Sequence, residues 1–349
     1  MSKSSLPPRS SSRGSRKADE PKSGSTKKTK KRGRIMRRIM IVILLALVAV
    51  AGYLYWLYKD TLGSITTDAE PGIEVPAEES VKVKPVTFML LGFDTREATG
   101  SLNTDVMMIA SFNPTSKSAT VVSIPRDSQI NVDGYKIRKA NGYYAAFLSS
   151  AKKEGLAQKE AEKKAKQGMR KMFGEFLGIP IDYTATINFK GFADVVDALG
   201  GVEVDVDIDM RYVDKADGTN INLSKGVQVL DGKKALDFVR YRKSNNGKNM
   251  SSDFERNQRQ SLVLGEIADK MKSFSGVTRI GGVIKAVGNN MRMDVPSNEV
   301  ENMMTTYFGI GRSDIEFIPL EGEWRSPYVH LNDAKLAEAK AALEAKLAE

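Results

Sequence analysis

The sequence predicts an α/β fold of the mixed α+β kind, in which a single mixed central sheet is flanked by helices. Apolar runs of strand length alternate along the chain with longer segments that have helical periodicity. The chain has 349 residues, of which 41% are hydrophobic, and this content is sufficient for a sizeable core. No internal repeat is visible in the sequence.

The predicted strands are short apolar runs bounded by polar or turn-forming residues. They cover Val86–Leu91, Val106–Phe112, Ala119–Ile124, Tyr183–Phe189, Val202–Ile208, Phe238–Tyr241 and Asp314–Pro319. The predicted helices cover Asn141–Ser150, Gln158–Leu177, Phe192–Leu199, Asp253–Lys272, Gly276–Val287 and Ser297–Phe308. Two segments rich in Ala, Lys and Glu, Lys152–Arg170 and Ala334–Glu349, are typical of solvated helices.

The formal charge of +10 is concentrated near the N-terminus. Residues 1–38 contain fourteen Lys or Arg and only two acids, Asp19 and Glu20, so this segment carries +12 and the other 311 residues carry −2. Its Ser, Gly, Pro, Lys and Arg content is too polar to form a core, which predicts a disordered tail. The charge therefore does not indicate a nucleic-acid partner.

A membrane anchor is predicted directly after this tail. Residues 39–58 are uncharged and mostly apolar, and at ~1.5 Å per residue they span a hydrocarbon layer of ~30 Å. Basic residues before the run and aromatic residues at its far end favour a cytoplasmic N-terminus and an extracytoplasmic remainder. A cleavable signal peptide is the alternative, although the candidate cleavage motif Ala49–Ala51 lies inside the apolar run. Residues 59–85 are predicted to form an extracytoplasmic linker.

The residue inventory restricts the possible chemistry. The chain has no Cys and a single histidine, His330. Thiolate catalysis is therefore excluded, and a Ser-His-Asp triad or a multi-His zinc site is strongly disfavoured. The lack of Cys also fits an extracytoplasmic location. Catalysis would have to use carboxylates, Arg, Lys, hydroxyl groups and a hard metal ion.

Charged residues stand at the ends of two predicted neighbouring strands. Asp94 and Arg96 follow the turn residue Gly92, and Asp105 precedes the run Val106–Phe112. Ligand groups commonly occupy such strand ends in α/β folds. Two carboxylates there could share Mg²⁺ or Mn²⁺, which prefer oxygen ligands and substrate phosphates. The alternative is that each Asp caps a turn.

Arginines form a second group of candidates. Arg126 follows Pro125 at the end of a predicted strand. The predicted strand Phe238–Tyr241 and its continuation would point Arg240 and Arg242 to the same face. Such a pair of guanidinium groups is suited to bidentate hydrogen bonds with phosphate oxygens.

The helix predicted to begin at Asp253 adds Arg256 and Gln260, which lie one turn apart on a stripe that continues through Val263 and Ile267 toward the core. An inward-facing Arg requires an anionic partner, because burying it unpaired is costly. The four arginines could therefore clamp a pyrophosphate. Structural ion pairs are an equally supported alternative, and the carboxylates available for them are Asp127, Asp253 and Glu255.

The set of motifs resembles the LytR-CpsA-Psr family of cell-wall glycopolymer transferases from about Val86 to Ile310. Several separated motifs occur in the family's order, and the predicted anchor agrees with the family's layout. The motifs are Gly92–Arg96, Thr104–Asp105, Ser123–Asp127, Lys139–Asn141, Phe192–Val202, Val239–Arg242 and Asp253–Gln260. Two positions depart from the family pattern, because Asn103 stands where Arg is common and Ala140 where Ile is usual.

The resemblance implies a sheet whose flanking helices enclose an apolar tunnel for a polyprenyl chain. It implies that Asp94 and Asp105 hold a divalent metal, Mg²⁺ or Mn²⁺, and are catalytic together with Arg126. The residues implied to bind the pyrophosphate are Arg126, Arg240, Arg242, Arg256 and Gln260. The implied supporting residues are Arg96, Asp127 and Asn141. On this basis residues 86–330 form the catalytic domain, and residues 331–349 form an additional helix.

The implied reaction moves a glycosyl-phosphate polymer from polyprenyl pyrophosphate to a peptidoglycan hydroxyl group, with polyprenyl phosphate as the leaving group. This chemistry requires mainly positioning and charge neutralisation, which a divalent ion and several Arg provide without His or Cys. Either Asp94 or Asp105 could remove the hydroxyl proton, and the sequence does not distinguish them. The expected partners are the lipid-linked glycopolymer, peptidoglycan and membrane lipid, and no nucleic acid.

Three other functions use parts of the same pattern. A non-catalytic polyprenyl-phosphate binding protein and a polyprenyl-pyrophosphate hydrolase would need the same arginines and the same apolar tunnel. A membrane-bound transcription regulator is less well supported. The basic tail has the charge for phosphate contacts, but it lacks a DNA-reading element such as a helix-turn-helix.

Overall fold

The structure is a computed structural model that describes residues 58–66, 75–93, 104–216 and 218–349, together with residues 52, 55, 56 and 69. The predicted tail, most of the predicted anchor, Asp94 and Arg96 lie outside the described residues. Within the described part of the chain, no helix is both long enough and apolar enough to cross a membrane.

The described strands and helices alternate along the chain, as the apolar patterns predict. The strands are β1 (Val86–Phe93), β2 (Thr104–Asn113), β3 (Ser118–Ser123), β4 (Gln129–Ile130), β5 (Arg138–Lys139), β6 (Tyr183–Asn188), β7 (Val202–Val206), β8 (Met210–Asp214), β9 (Thr219–Leu223), β10 (Gly226–Leu230), β11 (Met291–Met293), β12 (Ile315–Pro319), β13 (Gly322–Arg325) and β14 (Tyr328–Leu331). The helices are α1 (residues 58–65), α2 (Tyr143–Lys153), α3 (Gln158–Leu177), α4 (Phe189–Ala198), α5 (Gly232–Arg240), α6 (Asp253–Lys272), α7 (Phe274–Asn290), α8 (Ser297–Tyr307) and α9 (Asp333–Ala348).

A six-stranded mixed sheet with the order β11-β6-β1-β2-β3-β12 forms the centre of the fold. Strands β1, β2 and β3 pair antiparallel in sequence, as hairpin-connected strands commonly do. Strands β6 and β12 add in parallel at β1 and β3, and β11 pairs antiparallel with β6. The predicted mixed α+β class with a single central sheet is confirmed.

Helices cover both faces of this sheet, because alternate residues of its strands point to opposite sides. On one face, Met89 and Met107 pack in a core with Phe173 of α3. On the other face, Met108 packs against Leu264 of α6. The adjacent residues Met107 and Met108 point to opposite faces of the sheet, and each is only 1% exposed. The sheet is therefore the middle layer of three.

Helices α3 and α6 begin and end where the sequence predicts. The prediction of a strand at Phe238–Tyr241 is wrong, because Phe238 and Val239 lie in α5. The side chain of Asp231 caps this helix by accepting a hydrogen bond from the backbone N–H of Lys234. The apolar side chains of α5 pack into a core with β7 to β10, and this packing overrides the strand preference of Phe and Val.

The prediction of a solvated helix at Lys152–Arg170 is also wrong on one face. The segment contains the end of α2 and most of α3, where Ala161, Ala165 and Met169 recur at four-residue intervals and are fully buried. Gly168 allows α3 to approach α2 closely, because a Cβ there would lie 3.0 Å from the ring of Phe147. Most of the charged residues lie on the opposite face of the helix, and Lys166 is the buried exception.

Two segments that flank the predicted catalytic domain pack onto it. In the predicted linker, Leu62 and Val81 are buried, and the backbone N–H of Val81 donates to the buried carboxylate of Glu299 at 2.8 Å. At the other end, Ala339 and Leu343 of α9 are fully buried in the core of the α2 and α3 layer. The cores of the described chain therefore extend from α1 to α9.

Candidate functional site

A cavity of about 370 Å³ lies between the central sheet and helices α4, α5 and α6. Its floor comes from β1, β2, β6 and β11, and its other wall comes from the three helices. Six of the residues predicted for the site line it: Asp105, Arg126, Arg240, Arg242, Arg256 and Gln260. The remaining described candidates, Asp127 and Asn141, lie behind this lining.

The lining of the cavity changes from charged to apolar along its length. On α6, Arg256, Gln260 and Leu264 follow at four-residue intervals and all line the cavity. The stripe runs from the guanidinium group of Arg256 to the apolar side chain of Leu264 over about 12 Å of helix. On β2 the lining similarly passes from Asp105 to Met108. The cavity therefore has the polarity of a ligand with an anionic head and an apolar chain.

An irregularity in strand pairing sets the position of Asp105. Gly92 of β1 pairs with Val106, whereas the next residue, Phe93, pairs with Thr104, so the register shifts at Asp105. A Cβ at Gly92 would lie only 2.9 Å from the Cβ of Val106, which makes glycine the residue that allows this close approach. Sequence analysis identifies Gly92 as a turn residue and misses its role in strand packing.

Asp127 connects three cations behind the cavity. Its carboxylate accepts a hydrogen bond from Lys139 Nζ at 2.8 Å, and its Oδ2 lies 3.7 Å from Arg126 Nε and 4.0 Å from Arg242 Nη2. Burial raises the pKa of Asp127, but these three cations outweigh burial and hold the pKa below its ordinary value. Asp127 is thus an anionic anchor that positions Arg126 and Arg242.

Arg126 connects this anchor to Asp105. Its Nη1 donates to Asp105 Oδ1 at 2.7 Å. Burial lowers the pKa of Arg126, but Asp105, Asp127 and Asp253 outweigh burial and raise the pKa above its ordinary value. Arg126 therefore stays a full cation at the cavity wall.

Arg256 is the least satisfied cation of the cavity. It is 5% exposed, and its Nη2 lies 3.1 Å from Asp253 Oδ1 without the geometry of a hydrogen bond. Within the described residues, its Nε and Nη2 have no hydrogen-bond partner. Burial lowers the pKa of Arg256, and the neighbouring Arg126 and Arg242 lower it further against the attraction of Asp253. Buried donors of this kind are stabilised when an anion enters the cavity.

Arg240 and Arg242 do not share a strand face, contrary to the prediction. Arg240 is the last residue of α5, where its guanidinium lies 4.5 Å from the ring centre of Phe189. Arg242 follows the fully buried Tyr241 in a segment without regular secondary structure. Both arginines nevertheless line the cavity.

The alternative of structural ion pairs is borne out in part within the site, because Asp127 pairs with Arg126 and Arg242 and Asp253 pairs with Arg256. It is borne out in full for another arginine of the same motif. Arg259 donates to both carboxylate oxygens of Asp207, at 2.8 and 2.6 Å, and to Ser251 Oγ at 2.8 Å, away from the cavity lining. Glu255 forms a capping box with Ser252 at the start of α6. The helix therefore holds one satisfied structural arginine and one unsatisfied cavity arginine, Arg256.

Asn141 acts through its backbone. Its N–H donates to the carbonyl of Arg126 at 3.0 Å, and its carbonyl accepts from Thr104 Oγ1 at 3.3 Å. These bonds join the chain segments that carry Arg126 and Asp105. The apolar wall of the cavity escapes the sequence analysis, because Leu90, Met108 and Leu264 have the same pattern as core residues.

The fit of the predicted metal ion can be tested at Asp105. Within the described residues, no group of three or more acidic or histidine side chains is arranged to hold a metal ion. Asp105 is the one carboxylate among the described lining residues, and its Oδ1 is the oxygen that binds Arg126. Mg²⁺ is commonly held by one or two carboxylates, with substrate phosphates and water completing its shell. A single carboxylate at the charged end of the cavity fits that mode of binding.

Comparisons with known proteins agree with this geometry. The model of the LytR_cpsA_psr family matches residues 54–345. A polyisoprenyl-teichoic acid–peptidoglycan teichoic acid transferase, TagT of Bacillus subtilis, is 32% identical over 282 residues, with 77% of each chain covered. TagU of Oceanobacillus iheyensis, with the same activity in its name, is 28% identical and covers 80% of this chain and 83% of its own.

Solved structures give the same result. The crystal structure of B. subtilis TagV superposes with a TM-score of 0.59 at 25% identity and covers 76% of this chain and 98% of its own. A structure of YwtF (TagT) with bound octaprenyl pyrophosphate lipid superposes with a TM-score of 0.51 at 26% identity and covers 82% of this chain and 98% of its own.

Proposed function

The chain belongs to the LytR-CpsA-Psr family, and from that premise we propose that it transfers a glycosyl-phosphate polymer from a polyprenyl-pyrophosphate carrier to a hydroxyl group of peptidoglycan. Relatives named as teichoic acid transferases, at 27–32% identity over most of the chain, support an anionic wall polymer of the teichoic-acid class as the transferred group.

The polarity of the cavity carries this proposal. Arg256 offers buried donors that have no hydrogen-bond partner among the described residues at one end, and Leu264, two turns along the same helix, belongs to the apolar end. A lipid pyrophosphate satisfies both ends at once, because its phosphates bind the guanidinium groups and its chain covers the apolar wall. The octaprenyl pyrophosphate bound to the similar YwtF (TagT) is a ligand of this chemistry.

The proposed mechanism depends on charge neutralisation by arginine. The hydroxyl oxygen of the acceptor attacks the phosphorus that bears the sugar, and the bond from this phosphorus to the bridging oxygen breaks. Polyprenyl phosphate leaves with that electron pair, and the acceptor loses its hydroxyl proton. Arg126 and Arg256 stabilise the charge that develops on the leaving phosphate. Asp94 and Asp105 stay the candidates to accept the proton.

We propose Mg²⁺, or Mn²⁺, as the cofactor, held by Asp94 and Asp105. When bound, the ion would neutralise phosphate oxygens and polarise the phosphorus that is attacked. The position of Asp105 on the cavity wall, beside Arg126, supports this assignment.

We also propose that the protein is a single-pass membrane protein with an extracytoplasmic catalytic domain. The uncharged residues 39–58 and the charge of +12 before them support this orientation. The location agrees with the proposed acceptor, because peptidoglycan lies outside the membrane.

Product analysis with the full-length chain in detergent tests the proposal. The protein receives a synthetic polyprenyl-pyrophosphate-linked polymer, Mg²⁺ and glycan strands released from peptidoglycan. We expect polyprenyl phosphate and a polymer attached to the glycan in equal amounts. Release of the polymer into water would identify a hydrolase, and saturable binding without turnover would identify a carrier protein. Either result would overturn the proposed function.

The metal assignment has a separate test in Asp94→Ala. We expect this variant to lose transfer and to keep the circular dichroism spectrum of the wild type. Asp205→Ala, at an exposed position of β7, is the control that removes a carboxylate elsewhere. Transfer by Asp94→Ala at the wild-type rate would refute the metal site.

A further inference from the structure

The hairpin of β13 and β14 holds an exposed tryptophan that two side chains connect to the cavity wall. Trp324 is 52% exposed, and the Nζ of Lys139 lies 5.2 Å from its ring centre. The same Nζ donates to Asp127 at 2.8 Å, and Asp127 lies next to Arg126 and Arg242. Two side chains, Lys139 and Asp127, thus connect the indole to the arginines of the cavity wall.

The hairpin is fixed to the segment that carries Asp127. The backbone N–H of Val329 donates to the carbonyl of Asp127 at 2.9 Å, and Ser128 forms a bridge with Val329. Val329 is 3% exposed and stands opposite Trp324 in the hairpin register. Single exposed apolar residues are normal on protein surfaces. This one, however, is attached to the site by main-chain bonds.

We infer that Trp324 forms a stacking platform for a sugar ring of the acceptor glycan strand. This inference rests on the proposed function and names the surface by which the acceptor approaches the cavity. The face of an indole carries partial negative charge and attracts the polarised C–H groups of a pyranose ring. Lys139 and the charged side chains of the hairpin offer hydrogen bonds to the hydroxyl and amide groups around such a ring.

The charge of the hairpin favours the acceptor over the donor polymer as the occupant. Glu321, Glu323 and Arg325 give residues 321–331 a net charge of −1 with His330 neutral. The positive charge of Lys139 is paired with Asp127. The hairpin therefore offers a polyanionic polymer of the teichoic-acid class no net attraction of its own, whereas the stacking of a sugar ring of a glycan strand on the indole needs none.

The kinetic test uses full-length Trp324→Ala in detergent, with a synthetic lipid-linked donor and glycan strands released from peptidoglycan. We expect the KM for the glycan to rise about tenfold, as the loss of one aromatic anchor does in other binding sites. The KM for the donor and kcat at saturating glycan should change less than twofold. Trp324→Phe keeps an aromatic face and should restore most of the affinity. Phe308→Ala, which removes another exposed aromatic ring, should match the wild type.

A binding test separates this inference from the proposed function. The chain has two tryptophans, so in full-length Trp56→Phe the fluorescence reports on Trp324 alone. We expect the glycan strands to change this fluorescence saturably, whether or not the protein transfers a polymer. If the wild type transfers polymer but the glycan KM of Trp324→Ala is unchanged, or if the donor KM rises instead, the inference is wrong. An absence of any fluorescence change with glycan would also overturn it.

Discussion

Replacing Arg256 by methionine should change the stability of the protein little, although the residue is buried, and should at the same time weaken its binding of polyprenyl pyrophosphate. Arg256 is buried, and its Nε and Nη2 have no hydrogen-bond partner in the described chain. Each unsatisfied buried donor costs about 1–3 kcal/mol. Methionine fills a similar volume, keeps a high helix propensity and removes both donors.

The relief of these two donors is offset by the loss of an ion pair. Asp253 is buried and loses its pairing with Arg256, although the Nε of Arg242 remains 3.8 Å from it. Removing one partner of a buried ion pair costs about 3–5 kcal/mol, which is close to the free energy that the relief of two unsatisfied donors returns. We therefore expect Arg256→Met to change the free energy of unfolding by less than about 1 kcal/mol.

Arg259→Met is the matched control on the same helix. Arg259 is equally buried, but its donors are satisfied by Asp207 and Ser251. We expect Arg259→Met to destabilise the protein by about 1–3 kcal/mol, since bonds to charged groups are lost and the exposed side of Asp207 is solvated again. The two substitutions are chemically identical, so the larger loss of stability in Arg259→Met would follow from the hydrogen bonds that Arg259 makes and Arg256 lacks.

The assay is thermal unfolding of each full-length variant, followed by circular dichroism, with and without polyprenyl pyrophosphate. The wild type should gain stability on adding the lipid. Arg256→Met should bind it between about tenfold and about a hundredfold more weakly, because one charge-assisted bond contributes about 1.5–3 kcal/mol. If Arg256→Met loses as much stability as Arg259→Met and binds the lipid normally, the reasoning about Arg256 is refuted.

Three further predictions concern other parts of the site. The pKa of Asp127 in the folded protein lies below its ordinary value. The ionised carboxylate therefore stabilises the fold fully at a pH above the pKa of the unfolded chain, which is about 3.9. This contribution to stability is lost as the pH falls toward the lower pKa of the folded protein. Urea unfolding should therefore show a smaller loss of stability between pH 5 and pH 3 in Asp127→Asn than in the wild type, and equal losses would contradict this. Gly92→Ala should destabilise the protein by about 1–3 kcal/mol in the same urea assay, because the new Cβ lies 2.9 Å from Val106 Cβ. An unchanged urea midpoint would show that β1 and β2 can move apart at little cost. Leu264→Trp should fill the apolar end of the cavity, so calorimetry should show weaker binding of polyprenyl pyrophosphate and unchanged binding of inorganic pyrophosphate, whereas equal effects would indicate that the chain binds elsewhere.

The sequence predicts the long helices and the central strands well, because their apolar spacing is sustained over many residues. Helices α3 and α6 match at both ends. The failure at Phe238–Tyr241 has a physical cause, since a segment of four residues that contains Phe, Val and Tyr has local strand preference. The cap at Asp231 and the packing of α5 decide the outcome, and neither is visible in a short window.

Of the strands in the small two-stranded sheets, only β7 is predicted by the sequence patterns, within the segment Val202–Ile208. Strand β8 has only five residues, of which Met210 alone is buried and the others alternate between exposed and half-buried, and it pairs with β9. Such weak alternation does not separate a strand from a loop. In Lys152–Arg170 the error has the opposite cause, because a dense charge pattern hides the buried stripe of Ala161, Ala165 and Met169.

For the site, the charged residues could be predicted and the apolar wall could not. Asp105 and Arg126 stand out because they follow or precede apolar runs, and both line the cavity. Leu90 and Met108 do not stand out, because a residue that faces a cavity and one that faces a core have the same strand pattern. The sequence likewise does not show that Arg259 forms a structural ion pair while Arg256 lines the cavity, because this difference depends on where Asp207 lies in the fold.

A crystal structure of the protein purified from native cells tests the central claim most directly, because a lipid that binds the cavity will co-purify. The account predicts electron density for two phosphates at Arg126 and Arg256, continuous with an apolar chain that passes Leu264 and Met108. A polyprenyl lipid bound elsewhere on the protein, or a phosphate group at the apolar end of the cavity, would contradict it.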